Sequence, residues 1–194
     1  MAKTAEATII YTDIEDVYLD TNGENYAADL NNDATPEIKF RHFNNYDFAY
    51  NTWDNSVVAY VGAYSYLFAS ALNAGITPTQ FAYDSDKFYM FYGNARSDGQ
   101  WVDVQDKYFA IKFDISGNDH YGWVRLDVGS KAAGHNITIK DYAYQDTPDT
   151  FIEMGATSGG GEVPEPSTLG VLALGALGVL YWKRRKKKEE IDLY

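Results

Sequence analysis

The stretch YFAIKFDISGNDHYGWVRLDV, residues 108–128, decides the fold class of this protein. Apolar and polar residues alternate on both sides of a short polar segment, residues 116–119. The residues expected to share a buried face are Phe109, Ile111, Phe113 and Ile115 before that segment, and Val124, Leu126 and Val128 after it. Period-two alternation is typical of a half-buried strand, and Ser-Gly-Asn-Asp is typical of a turn. The stretch therefore predicts a β-hairpin.

The remainder of residues 1–156 shows the same pattern in shorter pieces. Further candidate strands are Thr8–Tyr11, Asp16–Asp20, Glu37–Phe43, Tyr46–Trp53, Ser56–Tyr60, Phe88–Tyr92 and Asn136–Tyr144. Aromatic residues make up 16% of the chain, including 17 tyrosines, and such residues suit pleated surfaces better than helices. Short strands separated by turns predict a mostly β protein, an antiparallel β-sandwich of jelly-roll-like type.

One segment departs from the β pattern. Residues Tyr64–Asn73 are followed by Ala74 and Gly75. Glycine often ends a helix because it adopts the left-handed conformation without strain. We therefore expect one short helix at Tyr64–Asn73, capped by Gly75.

Composition restricts the partners of this β domain. Residues 1–182 contain 10 Lys and Arg against 25 Asp and Glu, a net charge near −15. Such a surface repels phosphate backbones, which excludes nucleic acid as a partner. The chain has no cysteine, so neither a disulfide framework nor a thiolate metal site is available. One domain of ordinary size, residues 1–156, is expected.

The most chemically suggestive segment of this domain is DLNNDATPE, residues 29–37. Its oxygen donors are the side chains of Asp29, Asn31, Asp33 and Glu37 and the carbonyl group of Thr35. Alternating oxygen donors suit a loop that wraps a hard cation, so this segment is a candidate calcium site. The pattern resembles DxNxDGxxD calcium loops, with Ala34 in place of glycine. The alternative is an Asx-rich turn between two strands. The nearby acidic loop Asp20–Glu24 could lend a further ligand.

Other catalytic and binding signatures are weak. No two histidines have metal-ligand spacing, and the chain lacks the GxSxG, P-loop and dinucleotide-binding motifs. A pair of carboxylates could serve a polysaccharide hydrolase, but nothing singles out one pair among 28 acidic residues. Trp101 follows a polar loop and could stack on a sugar ring, although core packing is the alternative. We therefore expect a protein without enzymatic activity.

The C-terminal end has a different composition. SerGlyGlyGly at residues 158–161 lies in a segment, residues 157–163, that is typical of a flexible linker. Pro164, Glu165 and Pro166 follow, and then an apolar run of 14 residues, Leu169–Trp182. The run ends at six cations, Lys183, Arg184, Arg185, Lys186, Lys187 and Lys188. As a helix the run would reach about 21 Å, so it could span a thin bilayer, with the cations as a cytoplasmic stop.

This order of motifs resembles the PEP-CTERM sorting signal of Gram-negative bacteria that make extracellular polysaccharide. The resemblance covers residues 164–188, followed by a short cytoplasmic tail, residues 189–194. It implies recognition by exosortase, a membrane cysteine protease, and processing near Glu165 and Pro166. HYGW and DYAY, in residues 108–128 and 136–155, are similar to motifs in the outer domains of many such proteins.

The resemblance implies an exported structural or adhesive protein of the cell surface or extracellular matrix, anchored briefly in the membrane. The alternative functions are a calcium-assisted carbohydrate-binding module and, less favoured, a polysaccharide hydrolase. Extracellular polysaccharide is the expected partner both of an adhesive protein and of a carbohydrate-binding module. The first ten residues, MAKTAEATII, lack the apolar stretch of a signal peptide. Because export requires such a signal, we expect the mature protein to start near Ala2.

Overall fold

The computed structural model describes residues 8–43, 46–51, 55–61, 66–81, 83–84, 87–92, 99–130 and 134–158. The chain divides into two compact units, Met1–Gly159 and Gly160–Tyr194. All described residues belong to the first unit. The predicted linker beyond residue 158, the sorting signal at 164–188 and the tail at 189–194 lie outside the described residues.

The described residues form twelve strands in two six-stranded sheets. In chain order they are β1 (Ile9–Leu19), β2 (Asn25–Ala28), β3 (Ile38–Arg41), β4 (Tyr46–Asn51), β5 (Ser56–Val57), β6 (Ala59–Val61), β7 (Leu67–Ala69), β8 (Tyr83–Asp84), β9 (Phe88–Tyr92), β10 (Val104–Ile115), β11 (Asn118–Val128) and β12 (Ile137–Gln145). The first sheet has the order β1-β12-β11-β10-β5-β8 and the second has β2-β3-β4-β9-β7-β6. Among the described strands, pairing is antiparallel except between β7 and β9. The prediction of a mostly β, antiparallel protein is confirmed; the jelly-roll-like sandwich type stays a prediction.

The hairpin predicted for residues 108–128 is formed by β10 and β11. Their register runs from Ile115 opposite Asn118 to Val104 opposite Val128. The turn needs only two residues, Ser116 and Gly117, and both have positive φ, 57° and 86°. Two positive φ values match the right-handed twist of the strands, which is why a glycine is favoured in this turn.

The main core lies between the inner faces of the two sheets. Phe109, Ile111 and Phe113 of β10 are fully buried, as are Val124 and Leu126 of β11. The second sheet contributes Ile38, Phe40, Phe88 and Met90, which are also fully buried. Phe40 and Phe109 meet edge to face across the core, with ring centroids 5.2 Å apart. The alternation in residues 108–128 therefore predicted correctly which face of the hairpin points into the main core.

A second, smaller core covers the outer face of the first sheet. Tyr108, Ala110 and Trp123 point away from the main core, yet they are buried beneath Ile152 and Met154. The expectation that these strands are only half-buried is therefore wrong for their central residues. Sequence periodicity missed this because the covering segment lies more than twenty residues further along the chain.

Several predicted elements differ from the structure. The two candidates Thr8–Tyr11 and Asp16–Asp20 form one strand, β1, with an irregular register between Asp13 and Val17. The predicted helix at Tyr64–Asn73 is wrong over its described part: residues 67–69 are β7, and Leu72 forms a β-bridge with Tyr108. Cross-strand pairing overrides local helix preference here, and Gly75 (φ 79°) follows extended chain instead of a helix.

The short strands β2, β7 and β8 were not predicted, because two to four residues are too few for periodicity to reveal. The described residues contain no helix. Within the part of the chain that the structure describes, no helical segment has the length and hydropathy of a bilayer span.

Candidate functional site

The acidic segment, residues 29–37, joins β2 to β3 and is shaped by its own side chains. Asp29 accepts hydrogen bonds from the backbone N–H groups of Asp33 (3.1 Å) and Ala34 (2.8 Å). Asp33 in turn accepts one from the N–H of Thr35 at 2.8 Å. Ala34 has φ of 70°, the left-handed conformation that a glycine would adopt without strain. The Asx-turn alternative is therefore part of the observed geometry.

Contacts with the rest of the domain hold this loop in place. Leu30 is fully buried, and its Cδ2 would lie 2.7 Å from a Cβ at Gly122 of β11. Glu37 donates its backbone N–H to the carbonyl of Ala28, and Asn55 donates its side-chain amide to the carbonyl of Glu37. No motif in the sequence identifies Leu30, Asn55 or Gly122 as residues that support this loop.

Three of the predicted calcium ligands converge. Carboxylate oxygens of Asp29, Asp33 and Glu37 lie within 4.8 Å of one another, the one such acidic group among the described residues. Calcium binds oxygens at about 2.3–2.6 Å, so two ligands on opposite sides of one ion are roughly 5 Å apart. The spacing of the three carboxylates therefore fits a single calcium ion.

The electrostatics of this group centre on Glu37. Glu37 is buried, with only 6% of its surface exposed. Burial raises the pKa of Glu37 to about 7, and the charges of Asp29 and Asp33 add to that shift, although an N–H from Leu30 opposes it at 2.5 Å. None of the ion pairs seen among the described residues involves these three acids. A buried carboxylate beside two others gains stability from any cation that joins it.

The other predicted ligands have different roles. Asn31 donates its side-chain amide to Asp33 Oδ2 at 3.0 Å and accepts the backbone N–H of Asp33 through Oδ1. Thr35 contributes a backbone N–H to the loop. In the Asp20–Glu24 loop, Glu24 accepts N–H groups of Thr21 and Asp20, and these bonds lower its pKa. The structure does not bring that loop into the three-carboxylate group.

The structure contradicts the stacking role predicted for Trp101. Its side chain is fully buried (0% exposed), and its Nε1 donates a hydrogen bond to the carbonyl of Ala69 at 3.1 Å. The ring lies 6.2 Å from that of Phe109, inside the main core. A ring with no exposed face cannot stack on a sugar, so the alternative of core packing was correct.

The histidines are also internal. His42, His120 and His135 are all at least 95% buried. His120 Nδ1 lies 2.9 Å from the carbonyl oxygen of Gln145, and its ring packs against Phe113 and Tyr144. These positions support structural roles for the histidines.

A second charged group lies on the outer face of the first sheet and was not predicted. Arg125 donates two hydrogen bonds to Asp141, at 2.9 and 2.6 Å, and a third to Asp106. Lys140 pairs with Asp106 (2.9 Å) and Asp127 (2.7 Å). The hydrogen bonds to Asp141 raise the pKa of Arg125. Burial raises the pKa of Tyr11, which donates a hydrogen bond to Asp141, to about 12. The strand register brings these residues together from β1, β10, β11 and β12.

The comparison with known protein families identifies the C-terminal segment. Residues 162–186 match the PEP-CTERM protein-sorting motif. The C-terminal end of the chain therefore carries a PEP-CTERM sorting signal, and this signal indicates an exported, cell-surface-directed protein. Such signals are processed by exosortase, a membrane protease. No curated protein and no solved structure matches the chain.

Proposed function

We propose that this protein is a non-enzymatic structural or adhesive component of the cell surface or extracellular matrix. The observation that carries the proposal is the PEP-CTERM motif at residues 162–186, which follows the compact β unit Met1–Gly159 in the chain. A surface protein needs a stable body and a delivery signal, and the two parts of this chain match those needs.

The sorting signal contains three groups of residues with different roles. Pro164, Glu165 and Pro166 mark the region where exosortase acts. The apolar run Leu169–Trp182 anchors the protein in the membrane until it is processed. The cations of residues 183–188 stay on the cytoplasmic side, because moving charged groups across the bilayer is unfavourable.

Fractionation of the native host, followed by mass spectrometry of the C-terminus, tests this proposal. We expect the mature protein in the surface or extracellular fraction, without the apolar run. The variant Pro164→Ala/Glu165→Ala/Pro166→Ala should stay in the membrane at full length. The matched control Pro148→Ala, at an exposed turn position of the β domain, should be processed normally. Intact wild-type protein in the cytosol would refute the proposal.

Among the described residues, the side chains that the sequence offered for chemistry make structural contacts. The three histidines are buried. The oxygens of Asp29, Asp33 and Glu37 accept backbone hydrogen bonds that shape the loop. Residues arranged in this way stabilise a fold.

A second candidate function is calcium binding by the loop at residues 29–37, and the convergence of Asp29, Asp33 and Glu37 favours it. Each carboxylate oxygen has two lone pairs, so an oxygen that already accepts an N–H can still bind a cation. Asn31 and Thr35 are further candidate ligands from the sequence pattern. Calcium would offset two of the three negative charges and hold the β2–β3 connection closed. Polysaccharide binding remains an expectation of the resemblance, without Trp101 as its stacking residue.

Thermal unfolding of the full chain in detergent, with calcium and then with a chelator, tests this second function. At a calcium concentration a hundredfold above Kd, mass action should raise the stability by about 2.7 kcal/mol, roughly 5–10 °C in Tm. Asp33→Asn should lose this increment, whereas the control Glu153→Gln, at an exposed position, should keep it. Equal melting of wild type with and without calcium would exclude a calcium site.

A further inference from the structure

Residues 150–156, which follow β12 in the chain, pack against the outer face of the first sheet. We call residues 150–156 the C-terminal strap. Ile152 and Met154 of the strap are 2% and 1% exposed, and both belong to the outer core with Tyr108 and Trp123. Phe151 packs its ring 4.6 Å from that of Tyr121. The strap therefore forms the cover of the outer core.

Backbone contacts fix the strap as well. The N–H of Met154 donates to the carbonyl of Ile76 at 2.9 Å, and the N–H of Gly75 donates to the carbonyl of Met154 at 3.0 Å. Gly155 has φ of 86°, and a Cβ there would lie 2.8 Å from the hydroxyl oxygen of Tyr108. A glycine is required because the chain turns in the left-handed conformation directly above that ring. After Ala156 the chain becomes exposed, at Thr157 and Ser158.

We infer that the docked strap sets the upstream limit of C-terminal processing, so that the membrane protease cuts after Ala156 and leaves the outer core covered. This inference rests on the proposed function, in which the sorting signal is removed. Proteolysis requires the substrate chain to be accessible, and a segment that is held by buried side chains and backbone hydrogen bonds is cut only when it opens. A cut between Thr150 and Met154 would remove Met154 from the outer core.

Limited proteolysis of the full chain in detergent micelles, with a protease of broad specificity and mass spectrometry of the fragments, tests the inference. For wild type we expect the early body fragment to end at or after Thr157. Met154→Asp places an unpaired charge in the outer core, so cutting within residues 150–156 should become at least about tenfold faster. The matched control Glu153→Gln, on the exposed side of the strap, should keep the wild-type pattern.

A milder variant covers the case in which Met154→Asp unfolds the whole domain. Gly155→Ala strains the strap at its contact with the Tyr108 hydroxyl and should raise cutting within residues 150–156 by several-fold, with β10–β12 still protected. Early wild-type cuts inside the strap, or an unchanged pattern in both variants, would overturn the inference. In the native host, a mature C-terminus before Thr157 would overturn it too. An unprocessed host protein would instead count against the proposed function, since the protease assay does not depend on exosortase.

Discussion

Two buried carboxylates of this protein, Asp141 and Glu37, have opposite surroundings. Asp141 is 2% exposed and receives two hydrogen bonds from Arg125 and one from Tyr11. Glu37 is 6% exposed, and its charged neighbours are the carboxylates of Asp29 and Asp33. Similar burial therefore comes with a cation in one case and with further negative charge in the other.

The difference separates a structural ion network from a candidate cation site. A buried charge that already has its counterion gains little from another one, whereas a buried carboxylate beside two more is stabilised by protonation or by a metal ion. The group around Asp141 holds four strands in register. The group around Glu37 has the composition of a metal site, and no cation among the described residues forms an ion pair with it.

The largest expected effect is at Arg125. Arg125→Met leaves Asp141 buried without its main cation, and we expect a loss of about 3 kcal/mol in the free energy of unfolding. Urea denaturation of the full chain in detergent measures it. The double variant Arg125→Met/Asp141→Asn should recover part of the loss, because the orphaned charge is then absent. A loss below about 1 kcal/mol for the single variant would show that the pair is not a structural necessity.

The next effect concerns pH and Glu37. Its folded pKa of about 7 lies above the ordinary value of 4.5, so the folded state binds the proton more tightly than the unfolded state. This stabilisation is fully present below about pH 4.5 and is lost as pH rises through 7, a change of about 3 kcal/mol. In chelator, wild type should therefore lose more stability between pH 5 and 8 than Glu37→Gln, by roughly that amount.

The variant Asp33→Gln is the control for the pH prediction, because this substitution removes a carboxylate from the same loop but leaves Glu37 able to titrate. That variant should keep most of the pH dependence. Parallel pH profiles for wild type and Glu37→Gln would mean that Glu37 ionises normally in the folded state.

A smaller effect is expected where the loop meets the first sheet. At Gly122 a Cβ would lie 2.7 Å from Leu30 Cδ2 and 2.8 Å from the carbonyl oxygen of Ala143. Gly122→Ala should therefore cost about 1–3 kcal/mol through overpacking, and it should weaken calcium binding because Leu30 is displaced beside Asp29. Gly122→Ala/Leu30→Ala should recover calcium binding relative to the single variant. Unchanged melting of Gly122→Ala would mean that the loop relaxes freely.

The smallest effect is expected at Lys140. It pairs with Asp106 and Asp127, whose side chains are 58% and 26% exposed. Exposed ion pairs contribute up to about 1 kcal/mol, so Lys140→Met should lower stability by no more than that, and less at high salt. Melting at low and high salt measures it. A loss as large as that of Arg125→Met would mean that the network acts as one unit.

The long hairpin was predictable and the short strands were not. Residues 108–128 contain enough alternating positions to reveal both strands and their inner face. In contrast, β7 at Leu67–Ala69 is too short for periodicity, and its neighbourhood was predicted as a helix. Its strand conformation comes from pairing with β6 and β9 in the folded protein, and a local sequence pattern does not reveal this pairing.

The candidate site divides in the same way. The spacing of Asp29, Asp33 and Glu37 predicted a common loop, and the structure brings them together. Sequence spacing did not predict that Glu37 is buried, because its burial depends on the packing of β2, β3 and Leu30. At Trp101 the sequence left two interpretations open, stacking on a sugar and core packing, and the burial of the side chain in the main core decides for core packing.

By itself, the sequence determined the β character of the body, its acidic charge and the PEP-CTERM signal at residues 162–186, because these depend on local pattern and composition. Only the tertiary structure decided which carboxylates have a counterion, which aromatic rings are covered and how residues 150–156 cover the outer core. Those properties depend on contacts between residues far apart in the chain, such as Met154 with Ile76 and Arg125 with Asp141. No periodicity in the sequence records such contacts.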